Sequence, residues 1–296
     1  MTTALHYFAA NETEARRLAG ALDIPCQPVF VRRFPDGESL VQVGPTEPAA
    51  LLYCSLDNPD AKLVQLLLAA SALRDGGAQR IVLVAPYLGY MRQDRAFAPG
   101  EAVSQRVIGG LIAAAFDGLV TVDPHLHRTP RLDMVVPGIA AIAVSAAGTI
   151  AGAIRTAVTP DTILIGPDEE SAPWVEAVAA PLGLQVMIGR KVRRGDRAVE
   201  IAFPDCHRVA GRPVLLVDDV ISSGATLIAS ARQLRDAGAA ILGAAATHCL
   251  ASQTDLDTLA AGGITLVLAT DTVPGPAATV PIAPALAEAL RAHDFG

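Results

Sequence analysis

The run Val214-Leu-Leu-Val217, followed at once by Asp218-Asp219 and then by Ser222-Ser223-Gly224-Ala225-Thr226, restricts this chain more than any other stretch. Four consecutive apolar residues read as a strand buried on both faces, and such strands belong to parallel sheets covered by helices. The helix expected from about Leu227 to Ala237, stopped at Gly238, supplies that cover. Small residues in the connecting loop let backbone N–H groups approach a ligand, and a helix N-terminus favours negative charge, so the loop suits a phosphate. Two carboxylates beside it suit vicinal sugar hydroxyls or a hydrated magnesium ion, both of which want hard oxygen acceptors. Together they spell a sugar phosphate. The plain alternative is an acidic strand end followed by a Ser-capped helix with no ligand.

Similar apolar runs recur at Ala50–Cys54, Ile81–Ala85, Leu119–Val122, Ile163–Ile165 and Ile264–Ala269, with helical stretches expected at Ala61–Asp75, Val103–Ala115 and Trp174–Leu182. Strands alternating with helices predict an α/β fold with a doubly wound parallel sheet. At 296 residues two domains are expected, joined near Ala146–Thr149 and spanning 1–147 and 148–296. The formal charge of −7 argues against a general nucleic-acid binder, which needs an excess of Lys and Arg. The 4 cysteines lie far apart in sequence, without the spacing of a disulfide framework or zinc ribbon, and fit a reducing cytoplasm. The N-terminus lacks the basic and apolar regions of a secretory signal. Val135–Ile154 is free of charge, but Pro137, Gly138, Gly148 and Gly152 break it, so it reads as a strand and a capped helix rather than a membrane span.

Ligands of open parallel sheets bind beyond the carboxyl ends of the strands, which draws attention to five more segments. Arg32-Arg33-Phe34-Pro35-Asp36-Gly37-Glu38 offers an aromatic face for a nucleobase and carboxylates for its amino hydrogens, or is simply a turn. Arg92-Gln93-Asp94-Arg95 sits in a long connection after Ile81–Ala85, and its guanidinium groups suit polyphosphate. Asp123-Pro124-His125-Leu126-His127 follows a strand; no third ligand at fitting spacing argues for zinc, and a histidine near magnesium or phosphate suits it better. Asp168, after Ile163–Ile165, either caps the next helix or binds a metal. Arg190-Lys191-Val192-Arg193-Arg194 is basic within an acidic chain, and a loop of that kind could neutralise charge during phosphoryl transfer.

In this order the segments resemble the ribose-phosphate pyrophosphokinases, the phosphoribosyl pyrophosphate (PRPP) synthetases, along nearly the whole chain. Arg33 to Glu38 resembles the family's adenine loop, and Tyr90 to Arg95 its ATP loop. Asp123-Pro124-His125 is similar to its Asp-Leu-His magnesium motif, Gly166-Pro167-Asp168 to its Ser-Pro-Asp segment, and Lys191-Val192-Arg193 to its Lys-Arg-Arg loop. Asp218 to Thr226 resembles the loop that holds ribose 5-phosphate, with Ser222-Ser223 in place of Asp-Thr and Gly224-Ala225 in place of Ala/Gly-Gly. Glu169-Glu170 also departs from the family pattern, and Phe97 to Glu101 is closer to the compact archaeal-type members.

The resemblance implies two tandem phosphoribosyltransferase-like domains, each with a mainly parallel sheet flanked by helices. It implies transfer of the β,γ-diphosphoryl group of MgATP to the anomeric hydroxyl of ribose 5-phosphate. Phe34, Asp36, Glu38, Arg92, Gln93 and Arg95 are then expected to bind ATP, and Lys191 and Arg193 to be catalytic. Asp218, Asp219, Ser222, Ser223, Gly224, Ala225 and Thr226 are expected to bind ribose 5-phosphate, and His125 and Asp168 to face the Mg2+ cofactor. Members of the family often share sites between subunits, so a homo-oligomer is expected, with neither nucleic acid nor membrane as partner. Two rival readings are a PRPP-consuming phosphoribosyltransferase and a non-catalytic regulatory relative.

Overall fold

A computed structural model describes residues 2–194 and 198–295, with backbone alone at 191–194 and 198–200. The chain forms two compact units. One runs through Ser145 and adds Thr272–Pro274 and the segment from Ile282 onward; the other comprises Ala146–Asp271 and Gly275–Pro281.

Unit 1 contains β1 (Thr3–Phe8), α1 (Glu12–Leu22), β2 (Cys26–Arg33), β3 (Ser39–Gln42), β4 (Ala49–Tyr53), α2 (Pro59–Asp75), β5 (Arg80–Ala85), α3 (Ser104–Ala115), β6 (Gly118–Val122) and β7 (Ala140–Val144). Its sheet has the order β3-β2-β1-β4-β5-β6-β7. Neighbours pair in parallel except β2 and β3, an antiparallel hairpin. Strand β5 shows why the sheet needs cover on both sides: Ile81, Val82, Leu83, Val84 and Ala85 are all buried, so both faces of the pleat are apolar. Each such side chain contributes about 1.5–3 kcal/mol through burial.

Unit 2 contains α4 (Ala147–Ile154), β8 (Ile163–Gly166), α5 (Ala172–Ala179), β9 (Gln185–Ile188), β10 (Arg190–Arg194), β11 (Ala198–Ala202), β12 (Pro213–Ile221), α6 (Ala225–Asp236), β13 (Ala240–Cys249), α7 (Gln253–Ala261), β14 (Val267–Thr270) and β15 (Ala278–Val280). Its parallel sheet has the order β15-β14-β13-β12-β8-β9, and β10 and β11 form a separate antiparallel hairpin. Its core is distinct from that of unit 1 and includes Ile163, Ile165, Val214, Leu216, Leu227 and Leu234.

The final helix, α8 (Ala283–Ala292), belongs to unit 1, where it packs on α1. Arg291 donates to the Ala21 carbonyl. Arg80 donates to the Asp294 carbonyl at 2.9 Å and lies over the Phe295 ring, fastening the segment after α8 to the start of β5. A single cut between 147 and 148 leaves α8 out of the unit it packs against, because that packing is non-local.

Among the described residues no helix is long and apolar enough to cross a membrane. The uncharged stretch from Val135 contains β7 and α4, and Ala146 precedes α4 without a side-chain cap where a capped helix was expected.

Candidate active site

In unit 2 the chain leaves β8 for β9 on one side and β12 for β13 on the other, so β8 and β12 bound the point where the winding reverses. Strand β12 does not stop at its four apolar residues. It continues through Asp218 and Asp219 to Ile221 because β13 offers partners, with Asp218 opposite Ala246 and Val220 opposite His248. Asp219 is 5% exposed, and its N–H donates to Asp218 Oδ1 at 3.0 Å. The Asp218 carboxyl is held well above its ordinary value, first by burial, then by the charges of Asp219 and Asp168 and a hydrogen bond with Asp219.

Asp168 follows β8 and also acts as a cap. Its Oδ1 accepts from the N–H groups of Glu170 at 3.0 Å and Ser171 at 3.1 Å, opening the turn that leads into α5. Capping and a share in the acidic cluster are therefore compatible. Among the described residues no three His, Cys, Asp or Glu side chains form a metal-holding group by themselves. A hydrated magnesium ion still fits, because it keeps several waters and takes one or two carboxylates together with substrate phosphates. The crowding that pushes up the Asp218 pKa is one a cation would relieve.

Helix α6 begins at Ala225, so Ala225 and Thr226 form its first turn, and Gly224 rather than a serine occupies the N-cap. Gly224 has φ 76°, and a Cβ there would lie 2.6 Å from Leu259 Cδ2. No side chain caps this helix. Its first amides are available to an anion, with Ser222, Ser223, Ala225 and Thr226 exposed around them.

Lys191 and Arg193 do not lie in a loop. They stand on β10, opposite Ile201 and Val199 of β11, and their side chains lie outside the described residues, as do residues 195–197. At the start of this hairpin Arg190 Nε is 3.6 Å from Glu169 Oε1, an exposed pair worth little energetically. It gives Glu169, one of the unusual acids, a basic neighbour.

In unit 1, Phe34 to Glu38 forms the tip of the β2–β3 hairpin. Phe34 N–H donates to the Glu38 carbonyl at 2.7 Å, Glu38 N–H donates to Asp36 Oδ1 at 3.1 Å, and Arg32 lies over the Phe34 ring at 4.8 Å. The turn reading of this segment is therefore observed, and Phe34 remains 37% exposed upon it. The Arg92–Arg95 segment follows β5, which is separated from β2 by β1 and β4. At roughly 4.8 Å per strand spacing the bases of the two loops lie about 14 Å apart.

Within the long connection from Pro86 to Val103, Gln93 Nε2 donates to Glu101 Oε2 at 3.1 Å, and Arg95 lies over the Phe97 ring at 4.9 Å. Arg92 and Arg95 are exposed, but the Asp94 side chain is only 2% exposed and accepts from Arg128. His125 and His127 turn their Nε2 atoms toward each other, with ring centroids 3.8 Å apart in a T-shaped arrangement. The sequence reading passed over Asp94, Gln105 and Arg128, which tie this region together. Nothing local distinguishes Asp94 from its neighbours.

A family model described as the N-terminal domain of ribose phosphate pyrophosphokinase matches residues 4–115, and a phosphoribosyl transferase domain model matches residues 139–267. The chain is similar to a ribose-phosphate pyrophosphokinase of Methanopyrus kandleri, 39% identical over 279 residues that cover 93% of this chain and 94% of that protein. A Thermococcus kodakarensis protein of the same name is 34% identical over 259 residues, covering 87% of this chain and 90% of its own. Among solved structures, a phosphoribosylpyrophosphate synthetase from Mycobacterium smegmatis matches with a TM-score of 0.83 and 26% identity, covering 100% of each chain.

Proposed function

The chain belongs to the ribose-phosphate pyrophosphokinase family, and on that premise we propose how its residues divide the reaction. The protein is an enzyme that transfers the β,γ-diphosphoryl group of ATP to the anomeric hydroxyl of ribose 5-phosphate, giving PRPP and AMP. The bond from the sugar oxygen to the β-phosphorus forms as the bond from that phosphorus to the α,β-bridging oxygen breaks. The hydroxyl proton is released, and AMP departs.

The observation that carries this reading lies in unit 2, where the carboxyls of Asp168, Asp218 and Asp219 crowd together at the ends of neighbouring strands beside an uncapped helix N-terminus. The amides opening α6, with Ser222, Ser223, Gly224, Ala225 and Thr226, hold the 5-phosphate. Asp218 and Asp219 orient the ribose hydroxyls, so that the anomeric oxygen is presented for in-line attack. In unit 2, Asp168 and Asp218 are the groups that would face Mg2+, and in unit 1 His125 is the group suited to magnesium or phosphate. When bound, the ion would supply positive charge that offsets the negative charge developing during transfer.

Arg92 and Arg95 hold the triphosphate through charge-assisted hydrogen bonds, and Gln93 orients it. Phe34 stacks on adenine, while Asp36 and Glu38 accept from its amino group. A homo-oligomer, as the resemblance implies, would let copies share sites. Lys191 and Arg193 stabilise the charge of the migrating group.

Incubation of the protein with MgATP and ribose 5-phosphate tests the reading by release of AMP, which a PRPP-consuming transferase or a regulatory relative would not produce. Lys191→Ala is expected to lower turnover at least ~10²-fold, since loss of one charge-assisted transition-state contact commonly costs that much. A near-wild-type rate for this variant would refute the role given to Lys191.

A further inference from the structure

Strands β5 and β6 are parallel neighbours, and the loops that leave their carboxyl ends carry the triphosphate residues Arg92 to Arg95 and the His125 segment. Neither loop has regular secondary structure over these residues, so each needs an external constraint to hold a reactive geometry. Two independent ties supply one. Asp94 accepts from Arg128 Nη1 through Oδ1 at 2.9 Å and Oδ2 at 3.1 Å. Its side chain is 2% exposed, whereas that of Arg128 is 47% exposed. A carboxylate withdrawn from water needs this partner, because removing one member of a buried pair leaves an uncompensated charge.

The second tie is Gln105, in the first turn of α3 and 5% exposed. Its Nε2 donates to the Met91 carbonyl at 3.2 Å, its Oε1 accepts from Thr129 Oγ1 at 2.8 Å, and its backbone N–H donates to the Gln93 carbonyl at 3.2 Å. One buried amide thus reaches both loops. The Met91–Asp94 stretch is held at Met91, Gln93 and Asp94, while the other loop is held at Arg128 and Thr129, just beyond His125.

We propose that Asp94, Arg128 and Gln105 are positioning residues that join the triphosphate loop and the His125 loop into one rigid body, fixing Arg92 and Arg95 relative to His125. The acid of the Arg-Gln-Asp-Arg motif then serves the neighbouring loop and leaves the phosphates to the arginines that flank it. This inference rests on the proposed function for its kinetic consequence, and on the hydrogen bonds alone for its structural one.

The test compares the full chain with Asp94→Asn, Arg128→Met, Arg128→Lys and Gln105→Leu. Steady-state kinetics with each substrate varied in turn are expected to show the KM for ATP raised about 10-fold in Asp94→Asn and Arg128→Met, with the KM for ribose 5-phosphate within about 2-fold of wild type. Arg128→Lys, which keeps the charge, is expected to recover most of that loss. Hydrogen exchange without substrate is expected to quicken across residues 124–131 when Asp94 or Gln105 is replaced, while β7 is unchanged.

The proposal is overturned if folded variants leave both KM values unchanged or raise them equally, or if breaking either tie leaves exchange in 124–131 as it was. Should Asp94→Asn not fold, Arg128→Met and Gln105→Leu carry the same comparison. A wild-type chain that releases no AMP would sink the functional reading instead, and the exchange measurement would still decide the clamp.

Discussion

In unit 2 the crevice between β8 and β12 carries Asp168, Asp218 and Asp219, with the Asp218 pKa pushed up by burial and by its acidic neighbours, and a helix whose first amides have no side-chain cap. In unit 1 the polar groups at the corresponding crevice, between β1 and β4, are largely tied to one another. Ser55 N–H donates to Asn11 Oδ1 at 3.2 Å, and Lys62 Nζ donates to the Ser55 carbonyl at 2.8 Å and pairs with Asp57 at 2.6 Å. Both sheets reverse their winding at this point, and ligands of such sheets favour it. One unit keeps the position charged and open to a ligand. The other neutralises it internally and presents its candidate ligand groups on loops elsewhere, at the β2–β3 tip and beyond β5 and β6. A shared winding plan therefore does not carry a shared site; the charges left unbalanced at the strand ends do.

The largest expected effect breaks the symmetry between two acids, Asp218 within β12 and Asp57 after β4. Asp218→Asn should lower turnover ~10²–10³-fold, because on the proposed reading Asp218 orients the acceptor sugar and would face Mg2+. Asp57→Asn should leave turnover within about 3-fold and cost about 1 kcal/mol of stability, the usual net worth of a hydrogen bond. Steady-state rates and denaturant melts measure both. Equal kinetic losses in the two variants would mean that unit 1 also uses its crevice catalytically.

A smaller effect concerns the residues that precede α6 and α2, both in the left-handed region: Gly224 at φ 76° and Asn58 at φ 47°. Gly224→Ala adds backbone strain and places a Cβ against Leu259, together about 2 kcal/mol, and should raise the KM for ribose 5-phosphate by distorting the amides of α6. Asn58→Ala should cost about 1 kcal/mol through strain alone and leave that KM unchanged. If both variants shift the KM alike, the phosphate does not bind at α6.

Most of the unit 2 site was legible because its parts are contiguous: an apolar run, two acids, small residues and a helix within one stretch. The limits of those parts were not legible. Strand β12 runs on to Ile221 because β13 supplies ladder partners at Ala246 and His248, a pairing outside the local pattern. Lys191 and Arg193 read as a loop because the basic run has no apolar period, yet its backbone finds an antiparallel partner in Ala198–Ala202. Asp94 reads like its neighbours, and only Arg128, 34 positions away, accounts for its burial. The loops of unit 1 could be matched to nucleotide chemistry residue by residue. Their separation across the sheet follows from strand order, which alternation of strands and helices does not specify.

The smallest expected effect is one of sign. His6 is buried in β1 with no partner at either ring nitrogen, and burial pushes its imidazole below the ordinary 6.5. The folded unit thus binds this proton less readily than the unfolded chain, so its contribution to stability is complete above about pH 6.5 and is lost as the pH falls below that value. Asp218 works the other way. Its folded pKa lies above 3.8, so its contribution is complete below that pH and is lost as the pH rises through the folded pKa. Each group contributes a slope of no more than about 1.4 kcal/mol per pH unit. Hydrogen exchange, corrected for its intrinsic pH dependence, should show β1 and β4 losing protection as the pH falls below 6.5, while β12 gains it as the pH falls through the raised folded pKa of Asp218. His6→Leu should abolish the first trend and leave the second. If the two units instead lose protection together, and His6→Leu changes neither, the opposed charge chemistry assigned to their sheets is wrong.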